Sequence, residues 1–411
     1  MTQHSSIGIP LVSIITPSYN HGRFLQETIE SVLHQDYPHI EHIVVDGAST
    51  DGTVALLRTY GERYPDRFRW ISEPDGGQSE AINKAIAMVK GEFIGWQNSD
   101  DYYFPNTFAE PIQYLREHPD VAVVYSERAY LRESGELRVS DGQAYTFRRL
   151  LNNDLIPNQA AFLRTDALRR CGGVTLDLHY AMDYDLWLRL GLHHKMHYLP
   201  GVRGVWRALP EVKTIAGALQ SLVERVSLFE RLLAQHDFPA QDRVYAEGAL
   251  QRHMLRAMFE ALLRGEEACA YELLEKALIL DGILSQWDFL CEQLLFRRLL
   301  LQTIRDSQVR DQVDAVPRTT LALLHRSGHA PPLAAQKMIT LLHFFQLLGR
   351  IQRYDAPLAV PQLLRVLHGH PVWLGKSVGT AVAWPLIHNS LVRLLHRAPM
   401  LAQPSSSLAG H

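Results

Sequence analysis

Cysteine is scarce in this chain: Cys171, Cys269 and Cys291 are the only three in 411 residues, and they lie far apart. An odd, dispersed set speaks against a disulfide scaffold or a cysteine metal cluster and fits a reducing compartment. A dominant charge is missing too. Lys plus Arg number 41 and Asp plus Glu 44, a net of -3, which gives no global pull towards nucleic acid. The 20 His are scattered without zinc-ligand spacing. No apolar run reaches the roughly 18 residues of a spanning helix. The nearest approach, residues 372–387, is broken by Gly375, Lys376, Gly379 and Pro385, so a core or surface-lying helix is expected there. The first ten residues lack a charged segment followed by an apolar one, and no signal peptide is expected.

What is present is ordinary for a globular protein: 46% hydrophobic and 21% charged residues. The length suggests two or more domains. Within the first 100 residues, short apolar β-rich runs alternate with helical patterns. Strands are predicted at 11–16, 40–45, 68–71 and 92–96. Between them, Phe24, Leu25, Ile29, Val32 and Leu33 recur at helical spacing, as do Ala81, Ile82, Ala85, Ile86 and Val89. Ser49 or Asp51 can cap the helix that carries Val54, Leu56 and Leu57. This alternation predicts an α/β fold, a mostly parallel sheet with helices on both faces. Ligands bind such sheets beyond the carboxyl ends of the strands. From about residue 215 long Leu-, Ala- and Arg-rich patterns take over, so an all-α C-terminal region is expected. The predicted organisation is a tail at 1–10, a catalytic domain at 11–214, a helical region at 215–402 and a disordered tail at 403–411.

Three carboxylate sites stand at the ends of predicted elements. Asp100-Asp101 follows the fourth strand. Adjacent carboxylates repel unless a cation sits between them, and hard oxygen donors suit Mg2+ or Mn2+ bridging to phosphate; a solvated turn is the plain alternative. Asp46, before Gly47, is either half of a good turn pair or an acceptor for a base or ribose hydroxyl, and Tyr19 could stack on that base. Asp183 opens the helix of Leu186, Trp187, Leu188 and Leu190. It is either an N-cap or a general base aimed into a cleft.

Together these stretches resemble glycosyltransferase family 2, nucleotide-sugar transferases of GT-A (Rossmann-like) fold, across residues 10–215. The motifs that carry the resemblance are SIITPSYN from Ser13, IVVDGASTDGT from Ile43, SEPDGGQ from Ser72, AINK from Ala81, NSDD from Asn98, Gly172-Gly173, and MDYDLWLR from Met182. The resemblance implies that Pro17 and Tyr19 line a nucleotide pocket and that Asp46 sits beside base and ribose. It implies Asp100 facing the ribose or metal, Asp101 ligating Mn2+ or Mg2+, and Asp183 as the base of an inverting displacement. Asp75 joins the nucleotide-sugar residues. Lys84 and Arg207 are candidate diphosphate contacts, and Asn158 and Gln159, with Tyr180, mark the acceptor side.

The implied donor is a nucleotide-diphosphate sugar, a UDP-sugar first, and the acceptor a saccharide or lipid-linked hydroxyl in polysaccharide or glycoconjugate synthesis. No nucleic acid partner is implied. The implied location is cytoplasmic, with a peripheral membrane contact through the C-terminal region. Two departures stand out. Gly47 occupies a position where many relatives carry a second acidic residue that reads the base. Where the family often has Arg-x-His, this chain has Trp206-Arg207-Ala208-Leu209. Competing readings are a nucleotidyltransferase-like enzyme, which would show a Gly-rich basic loop where Pro17 to Arg23 stand, and a non-catalytic helical scaffold with a degenerate transferase domain.

Overall fold

The computed structural model describes residues 8–209, 213 and 217–280. The expectations for the region beyond 280, including the 372–387 stretch and the tail from 403, fall outside the described residues.

The first strand, β1 (Val12–Ser18), is buried along its whole length, which the apolar run VSIITPS requires of a strand covered on both faces. Helix α1 (Gly22–Leu33) turns Leu25, Ile29, Val32 and Leu33 onto the sheet. Then come β2 (Ile40–Asp46), α2 (Thr53–Arg63), β3 (Phe68–Ser72), α3 (Gln78–Met88) and β4 (Phe93–Trp96). Asp51 serves the start of α2, its Oδ1 accepting from the Thr53 backbone N–H and hydroxyl. Some polar groups within this core are paired, while Ser18 Oγ and His42 Nδ1 are buried without a partner among the described residues. The Ser13 hydroxyl donates to Glu41 and accepts from the Gly91 N–H. His42 meets Thr16 at 2.9 Å, and complete burial pushes the imidazole down to about 3, so it stays neutral.

The second half of the sheet is built from β5 (Tyr102–Tyr103), β6 (Val121–Arg132), β7 (Leu137–Val139), β8 (Ala161–Arg164) and β9 (Lys195–Ala208). Helices α4 (Ala109–Glu117), α5 (Phe147–Asn152), α6 (Thr165–Arg170) and α7 (Met182–His193) intervene. The nine-stranded sheet runs β3-β2-β1-β4-β8-β6-β9-β5, with β7 paired to β6. Its β3-β2-β1-β4 part is parallel. Beyond β4 it is mixed: β8 is antiparallel to both β4 and β6, while β6 and β9 run parallel. The parallel part puts the ends of β1, β2 and β4 on one edge, with Ser18 paired to Asp46 and Ile15 to Trp96. One face of the sheet packs Val12, Ile14 and Phe93 against Val32, Ile112 and Leu115.

Three more helices follow: α8 (Ala218–Ala234), α9 (Ala240–Leu263) and α10 (Glu267–Ile279). The first compact unit extends through Leu250 and so holds α8 with the sheet; a second begins at Gln251. The change in composition near residue 215 therefore precedes the end of the first unit. In the second, Gln251 donates to the Leu280 carbonyl across the helix pair, and Ala270, Leu274 and Ala277 are buried. Among the described residues no helix is long and apolar enough to cross a membrane.

Candidate active site

The loops after β1 and β2 are stitched together at the sheet edge. The Asn20 N–H donates to the Ser49 hydroxyl at 2.7 Å, and the Thr50 N–H donates to Asn20 Oδ1 at 2.9 Å. Asn20 and Ala48 both adopt positive φ, 53° and 62°, a costly conformation for residues with a Cβ. Beyond these loops lies a cavity of about 580 Å³, within the usual span of small-ligand sites. Pro17, Tyr19, Asp75, Asp100, Asn158 and Asp183 line it. Residues more than 160 apart in sequence are thus gathered by the ends of β1 and β4 and the start of α7.

Other predicted site residues stand behind the wall. Asp46 is fully buried. Its carboxylate accepts from the Ser49 N–H, the Ser49 hydroxyl and the Ser72 hydroxyl, so it braces the turn and does not line the cavity. Gly47 does line it, and a Cβ there would stand 3.1 Å from Asp75 Oδ2 and 3.3 Å from the Tyr19 ring. The acidic group over this part of the cavity is therefore Asp75. Lys84 is not brought to the cavity; it pairs with Glu73 at 2.8 Å and Glu80 at 2.9 Å.

Arg207 is likewise a strut. Its guanidinium bonds the Asp100 carbonyl and Glu27 and lies 4.9 Å from the Phe24 ring centroid and 4.8 Å from that of Tyr102. Its N–H donates to Asp101 Oδ1 at 3.0 Å.

Asp101 is fully buried, one residue behind the cavity-lining Asp100. Its Oδ2 accepts from Gln159 at 2.8 Å and Asn98 at 3.3 Å. Burial first, and the adjacent Asp100 second, push the Asp101 carboxyl up to about 8. Gln159, also buried, holds Asp101 on one side and takes a bond from Arg128 on the other. The short 3-10 turn Asn158–Ala160 that carries it packs directly on β9. Gly204 of β9 permits that approach, because a Cβ there would collide with the Gln159 carbonyl. Gly204→Ala should therefore cost about 1–3 kcal/mol of stability, a fall of several degrees in Tm by thermal unfolding; an unchanged Tm would refute the close approach.

A divalent cation fits this edge. Among the described residues no group of three or more His, Cys, Asp or Glu could hold one. Mg2+-type ions, however, need only one or two carboxylates when substrate phosphates and water complete the sphere. Such an ion would relieve the repulsion from Asp100, the smaller of the two causes that raise Asp101 after burial.

Asp183 lies in the first turn of α7, whose N-cap position is held by Ala181, so Asp183 is not the cap. Its Oδ1 accepts from the Tyr184 N–H at 2.8 Å. Burial, then the neighbouring Asp154, push its carboxyl up to about 6, against the opposing pull of Arg225. Asp185 does different work: its Oδ2 accepts from Thr175 at 2.6 Å and pairs with Arg189 at 2.8 Å.

Sequence reasoning missed several lining groups: His21, Arg23, His179, Trp206 and Lys213. Lys213 reaches Gln78 Oε1 at 3.3 Å and lies 5.3 Å from the Tyr180 ring centroid. His21, Arg23 and Trp206 lie in or next to stretches the sequence singled out, whereas His179 and Lys213 belong to no such motif, so only the path of the chain could reveal those two.

The model of the family described as Glycosyl transferase family 2 matches residues 13–172. An uncharacterized glycosyltransferase of Mycobacterium tuberculosis is 34% identical over 186 residues, covering 44% of this chain and 70% of the relative. An uncharacterized glycosyltransferase of Rickettsia typhi is 33% identical over 189 residues, again 44% of this chain, which spans 58% of that relative's length. Chondroitin synthase of Escherichia coli is 29% identical over 184 residues, 44% of this chain and 26% of the synthase. Among solved structures, S. aureus TarS 1–349 in complex with UDP-GlcNAc superposes with a TM-score of 0.54 at 18% identity, covering 82% of this chain and 91% of that one, a likeness of fold.

Proposed function

The chain belongs to glycosyltransferase family 2, and on that premise we propose that it moves a sugar from a nucleotide-diphosphate sugar to a hydroxyl of a saccharide or lipid-linked acceptor, inverting the anomeric centre. The observation that carries this reading is that Asp100 and Asp183 face one cavity of about 580 Å³, although 82 residues of chain separate them.

In this mechanism Pro17, Tyr19, Gly47 and Asp75 form the nucleoside end, with the Tyr19 ring available for stacking. Mn2+ or Mg2+, held by Asp100 with Asp101 behind it, would supply positive charge against the leaving diphosphate. Lys213 and Arg23 add cationic groups from this chain to the cavity lining. The acceptor hydroxyl enters beside Asn158, Tyr180 and Asp183. Asp183 takes its proton as oxygen attacks the anomeric carbon from the face opposite the diphosphate. A carboxyl raised to about 6 is largely ionised at neutral pH yet more basic than a free aspartate, which suits a general base. The part of this chain like the E. coli chondroitin synthase supports a role in polysaccharide assembly.

A thermal-shift screen of UDP-, GDP- and dTDP-sugars, each with and without Mn2+, tests the reading. UDP-sugars head the panel because the superposed TarS structure is described with UDP-GlcNAc. The expected result is one base class stabilising the protein by several degrees only when Mn2+ is present, since ligands that bind the folded state raise Tm. No shift with any nucleotide sugar would refute it.

A further inference from the structure

Helix α8 lies beyond the 13–172 stretch matched by the family, and its sequence suggested no chemistry. Two adjacent residues on it nevertheless converge on the start of α7. The Glu224 carboxylate accepts three consecutive backbone N–H groups: His179 at 2.9 Å on Oε1, then Tyr180 at 2.7 Å and Ala181 at 2.9 Å on Oε2. These amides precede the first turn of α7, and His179 and Tyr180 themselves line the cavity. Arg225 pairs with Asp154 at 3.0 Å and lies 4.7 Å from the Tyr184 ring centroid. The helix that presents them is anchored by buried Leu219, Val226, Phe229 and Leu232, with the Phe229 and Tyr184 rings 6.0 Å apart.

From this convergence we propose that Glu224 and Arg225 are positioning residues for Asp183 and for the acceptor wall formed by His179 and Tyr180. The proposal rests on the reading of Asp183 as general base. A carboxylate that binds three successive amides fixes the chain at both sides of the turn, so the Asp183 side chain leaves a backbone with little freedom. Charge-assisted bonds of this kind are the strong ones. Arg225 acts through charge. It neutralises Asp154, the carboxylate that otherwise opposes ionisation of Asp183, and itself favours the ionised base. Among the described residues Arg128 from β6 also favours the ionised base, and Lys213, which lines the same cavity, feels the charge of Asp183. Glu224 lies near Lys213, and His179 stands on the loop leading into α7.

The test uses the full chain and the tightest-binding nucleotide sugar among UDP-glucose, UDP-GlcNAc and GDP-mannose, with Mn2+. Sugar release to water, which takes the acceptor's place, gives kcat, KM and the pH profile. Glu224→Ala should lower kcat by about 10–100-fold, the scale of a 1 Å misplacement near the chemistry, with donor KM nearly unchanged. Glu224→Gln, which retains a carbonyl acceptor, should recover part of the loss. Hydrogen exchange at the amides of residues 179–181 should accelerate in Glu224→Ala.

Arg225→Met should move the acidic limb of the kcat profile upward by about one pH unit, since a nearby Arg lowers a carboxyl by one or more, and Arg225→Lys should return it. Exchange at wild-type rates in Glu224→Ala, or an unmoved limb in Arg225→Met, would overturn the proposal. Asp183→Asn, measured alongside, separates the two levels. If it keeps wild-type hydrolysis, the base assignment fails and this inference with it. If it loses hydrolysis while the α8 variants keep theirs, this inference alone falls.

Discussion

Asp183→Asn is expected to lose about 10²–10⁴-fold in turnover, the usual worth of a general base, with donor binding close to wild type. The substitution keeps size and can still accept the Tyr184 N–H, so the start of α7 should persist. What disappears is the ability to hold a proton. The pH dependence has a defined sign. The carboxyl is raised to about 6, so on acidification through that value it becomes protonated and cannot act as base. Wild-type turnover should therefore fall below about pH 6, and the small residual rate of Asp183→Asn should lack that limb.

Asp185→Asn provides the contrast. Asp185 is buried and holds Thr175 and Arg189; leaving a buried charge without its partner destabilises. Its main effect should appear in Tm, with turnover at a temperature where it is folded close to wild type. Steady-state kinetics and thermal unfolding of both variants decide the assignment. Equal turnover losses, or collapse of donor binding in Asp183→Asn, would contradict it.

Asp101→Ala should abolish Mn2+-dependent nucleotide binding, measurable by calorimetry with Mn2+ and UDP. From sequence, the pair Asp100-Asp101 suggests that the fold survives this change untouched. The structure adds a cost. Asp101 accepts from the Arg207 N–H and the Gln159 amide in a fully buried setting. Removing the acceptor leaves each donor unsatisfied at about 1–3 kcal/mol, partly offset by loss of a carboxyl that burial already disfavours. A lowered Tm is therefore expected together with the loss of binding. Asp101→Asn, which keeps one acceptor for the Arg207 N–H, should be more stable than Asp101→Ala and equally deficient in metal-dependent binding. Wild-type nucleotide affinity in Asp101→Asn would remove Asp101 from the metal site.

The sequence by itself determined the parallel half of the fold. The runs at 11–16, 40–45, 68–71 and 92–96 became β1 to β4 with ends shifted by two residues or fewer. The β-branched and aromatic residues of these strands mark them even though Ser13, Thr16, Glu41 and His42 are buried among them, and the helices between them repeat at helical spacing, so local pattern suffices. The same logic located the strand-end carboxylates, because ligands gather where parallel strands stop.

Tertiary structure decided which of them face the cavity. Asp46 and Asp100 look equivalent as residues after strands, yet Asp46 is consumed by Ser49 and Ser72 while Asp100 lines the cavity. Lys84 and Arg207 carry the right charge for a diphosphate but are held by Glu73, Glu80 and Glu27. The long strands β6 and β9 and the Glu224 clamp were not legible either, for one physical reason. They depend on partners 40 to 180 residues away, and no periodicity within a segment records which distant backbone amide a carboxylate will meet.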